Sequence, residues 1–282
     1  MIYFLTVNYY STKAIAQLIN SIQSSRDSPY KIVIVNNSPE DESIHLLKDE
    51  FVVILESGSN LGFGAGCNLG LNWVYQQEPQ AIVWLINPDA YLLISSLKEI
   101  KSFFDSYPEL SIVGTMIYTP NKEVWFAGGQ FIQKNGRISS LDIINDSESA
   151  YVNCDWVSGC SLLINLNNFN ECPQFDPAYF LYYEDFDFCM RYARFGHLIA
   201  VTKQLSAIHQ PSTITNRNLF IKYQYSTHSY LLTLERYTNK FVRGLRLTRL
   251  LAHALILILI KPKIAFGKLY GILIYLTRSH SN

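Results

Sequence analysis

Five short apolar runs rich in β-branched and aromatic residues punctuate the first part of the chain: Tyr3 to Val7, Lys31 to Val35, Phe51 to Leu55, Ile82 to Ile86 and Ser111 to Ile117. Each has the length and composition of a strand buried on both faces. Between them the apolar spacing changes to that of helices. From Thr12 to Ser25, for example, Ala14, Ile15, Leu18, Ile19 and Ile22 fall on one face, with Ser11 or Thr12 placed to cap it. Asp41 to Glu50, Ala65 to Gln77 and Ser95 to Tyr107 are the other expected helices. Strands that are apolar throughout and alternate with amphipathic helices predict an α/β domain whose mostly parallel sheet is covered by helices on both faces. Ligands of such sheets bind beyond the carboxyl ends of the strands, where the loops at Asn8, Asn36, Asn60 and Asn87 fall.

From about Val124 the pattern becomes irregular and hairpin-like. Trp125 to Phe131 turns around Gly128-Gly129, Ser139 to Ser149 is polar, and Trp156 to Ile164 is apolar again. A further helix is expected from Glu184 to about Phe195, ended by Gly196. These segments elaborate one domain spanning residues 1–235, and residues 236–282 form a distinct helical tail. Two apolar stretches in that tail, Leu245 to Ile260 and Ile264 to Leu276, are broken by Lys261-Pro262-Lys263. As helices they measure about 24 and 20 Å, short of the roughly 30 Å hydrocarbon core of a bilayer.

The zero net charge conceals an asymmetry. From Arg236 onward there are nine Lys or Arg residues and no Asp or Glu, while the first 235 residues carry 14 basic against 23 acidic side chains. An acidic body joined to a basic, apolar tail predicts attachment to an anionic membrane surface, with two helices packed on the core as the competing outcome. The N-terminus has no basic leader and turns polar at Asn8, so it reads as a first strand rather than a signal peptide. The expected location is cytoplasmic, peripheral at the inner face of the cell membrane. The five cysteines contain no Cys-x-x-Cys pair and indicate reduced thiols rather than a disulfide framework or a zinc site.

Candidate chemistry lies at the strand ends. The glycine-rich loop Asn60-Leu61-Gly62-Phe63-Gly64-Ala65-Gly66 lacks the third glycine of a dinucleotide fingerprint and the Gly-Lys-Ser/Thr of a Walker loop. It is either a tight strand-to-helix turn or a loop whose backbone approaches a ligand, with Asn60 and Asn68 offering amides. Asp89, after Asn87-Pro88, is a hard oxygen ligand suited to Mg²⁺ or Mn²⁺ on a diphosphate, or else a helix cap. In Tyr182-Tyr183-Glu184-Asp185-Phe186-Asp187 three carboxylates open a helix beside aromatic residues. Enclosure there favours a general base, for which Asp185 is the better candidate if Glu184 caps the helix. Asp187 and Arg191 have the spacing of a structural pair. His209, after another apolar run, is structural unless Asp89 binds a metal, in which case it becomes a second ligand.

Taken in order, Thr6-Val7-Asn8-Tyr9, Ile34-Val35-Asn36-Asn37-Ser38, Asn60 to Asn68, Leu85-Ile86-Asn87-Pro88-Asp89 and Tyr182 to Asp187 resemble the family 2 nucleotide-sugar glycosyltransferases, in their bacterial rhamnosyltransferase-like branch. The resemblance covers roughly residues 1–215. It implies a GT-A fold, a nucleoside-diphosphate sugar donor, a divalent cation, and inversion at the anomeric carbon with a hydroxyl of a glycan or lipid-linked acceptor as nucleophile. Carried over by position, Val7, Asn8, Asn36, Asn60, Gly62, Asn68 and Asp89 would contact the donor nucleotide. Asp89 and His209 would hold the metal, Asp185 would be the catalytic base, with Glu184 beside it as the second catalytic candidate, and Trp156, Ser158 and Gly159 would flank the acceptor. Asn36 stands where the family often has Asp, which admits dTDP beside UDP. Nucleotidyl transfer is the rival enzyme class, but no Lys or Arg occurs between Lys48 and Lys98 to cover a triphosphate. A non-catalytic membrane-associated relative that binds a glycan or protein partner is the rival binding function, and no nucleic-acid partner is expected.

Overall fold

In the computed structural model, which describes residues 1–24, 27–93, 96–141, 149–210 and 217–278, the apolar runs become the centre of one large sheet. Its first half is purely parallel: β3 (Val52–Glu56), β2 (Tyr30–Asn36), β1 (Ile2–Asn8) and β4 (Ile82–Ile86) lie side by side in that order. Alternation along β1 distributes its side chains to both covered faces. Ile2 and Phe4 join Ile15, Leu18 and Ile22 of α1 (Thr12–Gln23), and Tyr3, Leu5 and Val7 join Cys67, Leu71 and Val74 of α2 (Phe63–Gln77).

Beyond β4 the sheet is mixed. The short β5 (Ala90–Leu92) and α3 (Lys98–Ser106) lead to β6 (Leu110–Tyr118). Antiparallel β11 (Ser161–Asn165) is inserted between β4 and β6. The long β12 (Leu198–His209) runs parallel to β6, with β5 and β10 (Tyr151–Asn153) antiparallel to it. Helix α4 (Glu184–Arg194) ends before Gly196, whose φ of +89° reverses the chain into β12.

Two expected elements differ. Asp41 to Glu50 forms only a 3₁₀ helix, Glu42–Leu47, because Ile44 alone is buried and Leu46 is 86% exposed, leaving no continuous apolar face to hold an α-helix. Gly128-Gly129 is not the tip of one hairpin. β7 (Val124–Phe126) returns antiparallel on β6, the chain redirects at Gly128 (φ +88°), and β8 (Gly129–Ile132) pairs instead with β9 (Arg137–Ser140). Residues 142–148 of the expected polar stretch, Ser25 at the end of the first expected helix and Ser95 at the start of another lie outside the described residues.

Three helices complete the chain: α5 (Leu219–Tyr237), α6 (Lys240–Leu257) and α7 (Pro262–Thr277). The boundary expected at 235/236 falls in the last turn of α5. Helix α7 lies directly on α5 through Gly267 and Gly271, where a Cβ would come within 2.5 Å of the Phe220 carbonyl oxygen and 2.4 Å of that of Gln224. Leu231, Leu234, Ile272 and Tyr275 form the buried seam between them. Apolar side chains stay open on α6, where Phe241 is 80% exposed, and in the turn before α7, where Leu259 is 91% and Ile260 68% exposed. Among the described residues no helix is long and apolar enough to cross a membrane.

Candidate functional site

The carboxyl ends of β1, β2 and β4 open onto a cavity of about 720 Å³, closed on its other sides by the 158–160 loop, the 180–185 segment and the first turns of α5. The glycine-rich loop forms its floor. Gly62 precedes α2 with φ +83°, and a Cβ there would meet the Phe180 carbonyl oxygen at 2.3 Å. Only glycine therefore allows this backbone to dock on the 180s segment, a contact sealed by Phe63 N–H donating to Phe180 O at 3.0 Å. Asn60 Oδ1 accepts from Gly62 N–H at 3.0 Å and shapes the turn.

Asp89 and His209, 120 positions apart, meet because β5 pairs antiparallel with the end of β12, setting His209 opposite Ala90. His209 Nε2 lies 3.2 Å from Asp89 Oδ1, with both side chains nearly buried. Trp125 meets the imidazole edge-to-face at 4.6 Å. His209 Nδ1 is buried without a hydrogen-bond partner. A carboxylate and an imidazole converging on the cavity fit a divalent cation. No cluster of three or more His, Cys, Asp or Glu occurs among the described residues, so a cation held here would need oxygen ligands beyond these two side chains, as Mg²⁺ commonly accepts.

The paired acids line the same cavity from the 180–185 segment. Tyr182 and Tyr183 take left-handed backbone angles, φ +70° and +65°, a conformation non-glycine residues adopt at a cost of order 1–3 kcal/mol each. The turn they make delivers Glu184 and Asp185 to the first turn of α4, and α5 braces it. Ser229 Oγ donates to Leu181 O at 2.9 Å, Tyr225 stacks on Phe180 at 4.5 Å, and Tyr230 packs on Tyr183 at 5.7 Å. Asp185 accepts from Gly159 N–H and Phe186 N–H, both at 2.8 Å. Burial raises its pKa above the ordinary carboxylate value, and these two N–H donors hold the rise in check. Glu184 has only its own backbone N–H to counter its burial. Burial, and next the charge of Asp185, push its pKa far up, and its Oε2 has no partner, an asymmetry that favours the proton on Glu184 and the charge on Asp185.

Not every expected residue reaches the cavity. Val7, Asn60, Gly62, Asp89, Ser158, Gly159, Glu184, Asp185 and His209 line it. Asn8 and Asn36 lie beneath it, bonded to each other at 3.0 Å, with further bonds to Asp41 and Glu56. Asn68 clasps the Phe175 backbone at 2.8 and 2.7 Å and so anchors the segment leading to Asp185. Trp156 lies behind the wall, against Phe126 and Phe186.

Other lining residues were not foreseen: Tyr9, Asn37, Trp125, Arg217, Lys222 and Tyr225. Asn37 donates to Gly62 O at 2.8 Å and keeps a buried, unpartnered Oδ1. Strand alternation past Asn36, which turns consecutive side chains to opposite faces, was its available signal. The α5 residues had no local signal.

The family model described as Glycosyl transferase family 2 matches residues 3–162. Over 209 residues, 73% of this chain and 66% of the relative, the sequence is 25% identical to the low-salt glycan biosynthesis hexosyltransferase Agl10 of Haloferax volcanii, just under two thirds of that protein's length. It is 22% identical over 237 residues, 76% of this chain and 77% of the relative, to the N-acetylglucosaminyl-diphospho-decaprenol L-rhamnosyltransferase of Mycobacterium tuberculosis. The fold is similar to that of the mannosyltransferase PcManGT from Pyrobaculum calidifontis, solved in complex with GDP-Man and Mn²⁺. The TM-score is 0.57 at 12% identity, covering 98% of this chain and 87% of that one. A GT-A-type α/β architecture is thus shared with solved glycosyltransferases.

Proposed function

The chain belongs to glycosyl transferase family 2, and from that premise we propose that it moves a sugar, with inversion, from a nucleoside-diphosphate donor to a hydroxyl of a glycan or lipid-linked acceptor in cell-surface polysaccharide synthesis. The observation that carries this reading is that Asp89 with His209 and the Glu184–Asp185 pair line one cavity at the ends of parallel strands. The nucleoside of a UDP or dTDP sugar lies against the β1–β3 loops, where Tyr9, Asn37 and Asn60 meet it. Asp185, ionised and oriented by two backbone N–H groups, takes the proton of the acceptor hydroxyl as that oxygen bonds to the anomeric carbon. The bond from that carbon to the diphosphate breaks, and the diphosphate leaves with the electron pair. Asp89 and His209 would hold Mg²⁺ or Mn²⁺, which when bound neutralises charge on the departing diphosphate.

Residues 1–235 form the catalytic unit in this reading, and residues 236–282 seat it at the inner face of the cell membrane. Support comes from the exposed Phe241, Leu259 and Ile260 among nine cationic residues with no acidic residue in that stretch.

Release of UDP or dTDP from a panel of their sugars with Mn²⁺ tests the activity. Wild type should turn the donor over, with Asp185→Asn and Asp89→Ala silent. Nucleotide binding without any turnover in wild type would favour a non-catalytic glycan-binding relative.

A further inference from the structure

We propose that Trp125 is the platform on which the sugar ring of the acceptor lies, so that the acceptor is read as a saccharide and not through its lipid or other aglycone alone. The proposal rests on the glycosyltransferase reading above.

Of the four tryptophans, Trp84 is fully buried, Trp73 packs on Tyr3, and Trp156 is held behind the wall by Phe126 and Phe186. Trp125 is 40% exposed and lines the cavity. The alternation of β7 turns Phe126 into the core and Trp125 away from it. Leaving so large an apolar ring open inside a site lined with charged and amide groups forgoes burial energy that folding would otherwise collect. A ligand with a flat apolar face recovers it. The C–H-bearing face of a pyranose ring is such a face, and the electron-rich indole surface attracts those polarised C–H groups.

The ring is also held in place. His209 meets it edge-to-face at 4.6 Å, which leaves indole surface open. A run of aromatic contacts, Trp125 to Phe126 at 6.3 Å, Phe126 to Trp156 at 4.7 Å and Trp156 to Phe186 at 6.0 Å, ties the platform to the residue that follows Asp185. Platform and base therefore share one frame, and a ring lying on Trp125 has its hydroxyls set relative to Asp185 before reaction. The nucleoside loops belong to β1–β3, whereas β7 hangs from β6 on the far side of β11, so the platform stands away from the nucleoside and beside the His209 end of the site, where the acceptor meets the departing diphosphate.

The test uses two probes, N-acetylglucosaminyl diphosphate on a farnesyl chain and farnesyl diphosphate without sugar, titrated into the full chain and into Trp125→Leu and Trp125→Phe. The sugar-bearing probe should bind wild type about tenfold more tightly than Trp125→Leu, with Trp125→Phe recovering most of the difference and the sugarless probe indifferent to all three. Stabilisation by UDP or dTDP, measured on the same proteins, keeps the donor reading separate. If nucleotide stabilises all three and sugar-dependent binding is equal or undetectable, the platform is wrong and the donor reading stands. Loss of nucleotide stabilisation in Trp125→Leu alone would make the ring part of the donor site and overturn the proposal. No nucleotide response in wild type would remove the enzyme reading, and the platform with it.

Discussion

The parallel half of the sheet and the three C-terminal helices are built from similarly apolar sequence, yet they place it in opposite directions. In β1, β2 and β4 nearly every side chain is buried between α1 and α2, and polar groups collect at the carboxyl ends, where Asn37, Asn60 and Asp89 line the cavity. In α6 and α7 a large share of the apolar residues, Phe241, Leu255, Ile256, Phe266 and Leu273 among them, lies outward, and the buried seam with α5 is narrow. Hydropathy alone therefore does not say which partner an apolar residue serves. The strands serve the core, α7 serves α5 through its glycines, and the outer faces stay exposed among the described residues. The two regions are coupled through α5, whose one side packs on α7 while the other braces the Tyr182–Tyr183 turn that presents Asp185.

The largest effect expected at the rim is Asp185→Asn. It removes the proton acceptor and should lower turnover by about 10²–10⁴-fold while nucleotide stabilisation persists, measured by single-turnover assay and thermal shift. Because burial raises the Asp185 pKa, the base is lost on acidification earlier than for a surface aspartate. The acid limb of the wild-type rate profile should lie above the ordinary value of 3.8.

Gly271→Leu probes the coupling. The new side chain would start 2.4 Å from a backbone oxygen of α5, so a loss of about 1–3 kcal/mol in urea denaturation is expected, together with slower turnover. Lost stability with unchanged turnover would reduce the tail to an appendage. The pair Leu259→Asp with Ile260→Asp sharpens the contrast from the other side. Both positions are open, so stability should stay within about 0.5 kcal/mol while binding to anionic vesicles in a sedimentation assay falls at least tenfold.

The smallest effect is that of Glu184→Gln. A carboxyl whose folded pKa is raised stabilises the fold fully below its unfolded pKa and loses that contribution as pH climbs through the folded value. The wild-type melting temperature should therefore drift down with rising pH more steeply than that of Glu184→Gln. Parallel curves would show that Glu184 is not the protonated member of the pair.

Much of the fold was legible because the strands are apolar on both faces and the helices keep a 3.6-residue period. Ile82–Ile86 was foreseen to the residue, and the other central strands to within a residue or so at each end. What failed depended on burial that sequence does not reveal, as with Leu46 facing solvent and the change of pairing partner at Gly128. Of the expected site residues, those carried by a local turn reach the cavity, Gly62, Asp89 and Asp185 among them. Contributions from across the chain were not legible. Trp125, Lys222 and Tyr225 reach the cavity only because β7 folds back on β6 and α5 crosses the mouth, contacts set by long-range packing. Asn8, Asn36 and Asn68 looked like ligand groups, and the structure uses their amides to tie loops together beneath and beside the cavity.

The central claim, that the strand ends bind a nucleoside diphosphate beside Asp89, is tested most directly by a thermal-shift panel of UDP, dTDP and GDP, with and without Mn²⁺, on wild type and Asp89→Ala. Stabilisation by UDP or dTDP that requires the metal and vanishes in the variant is expected. An equal response in Asp89→Ala, or no response to any nucleotide under either metal condition, would contradict it.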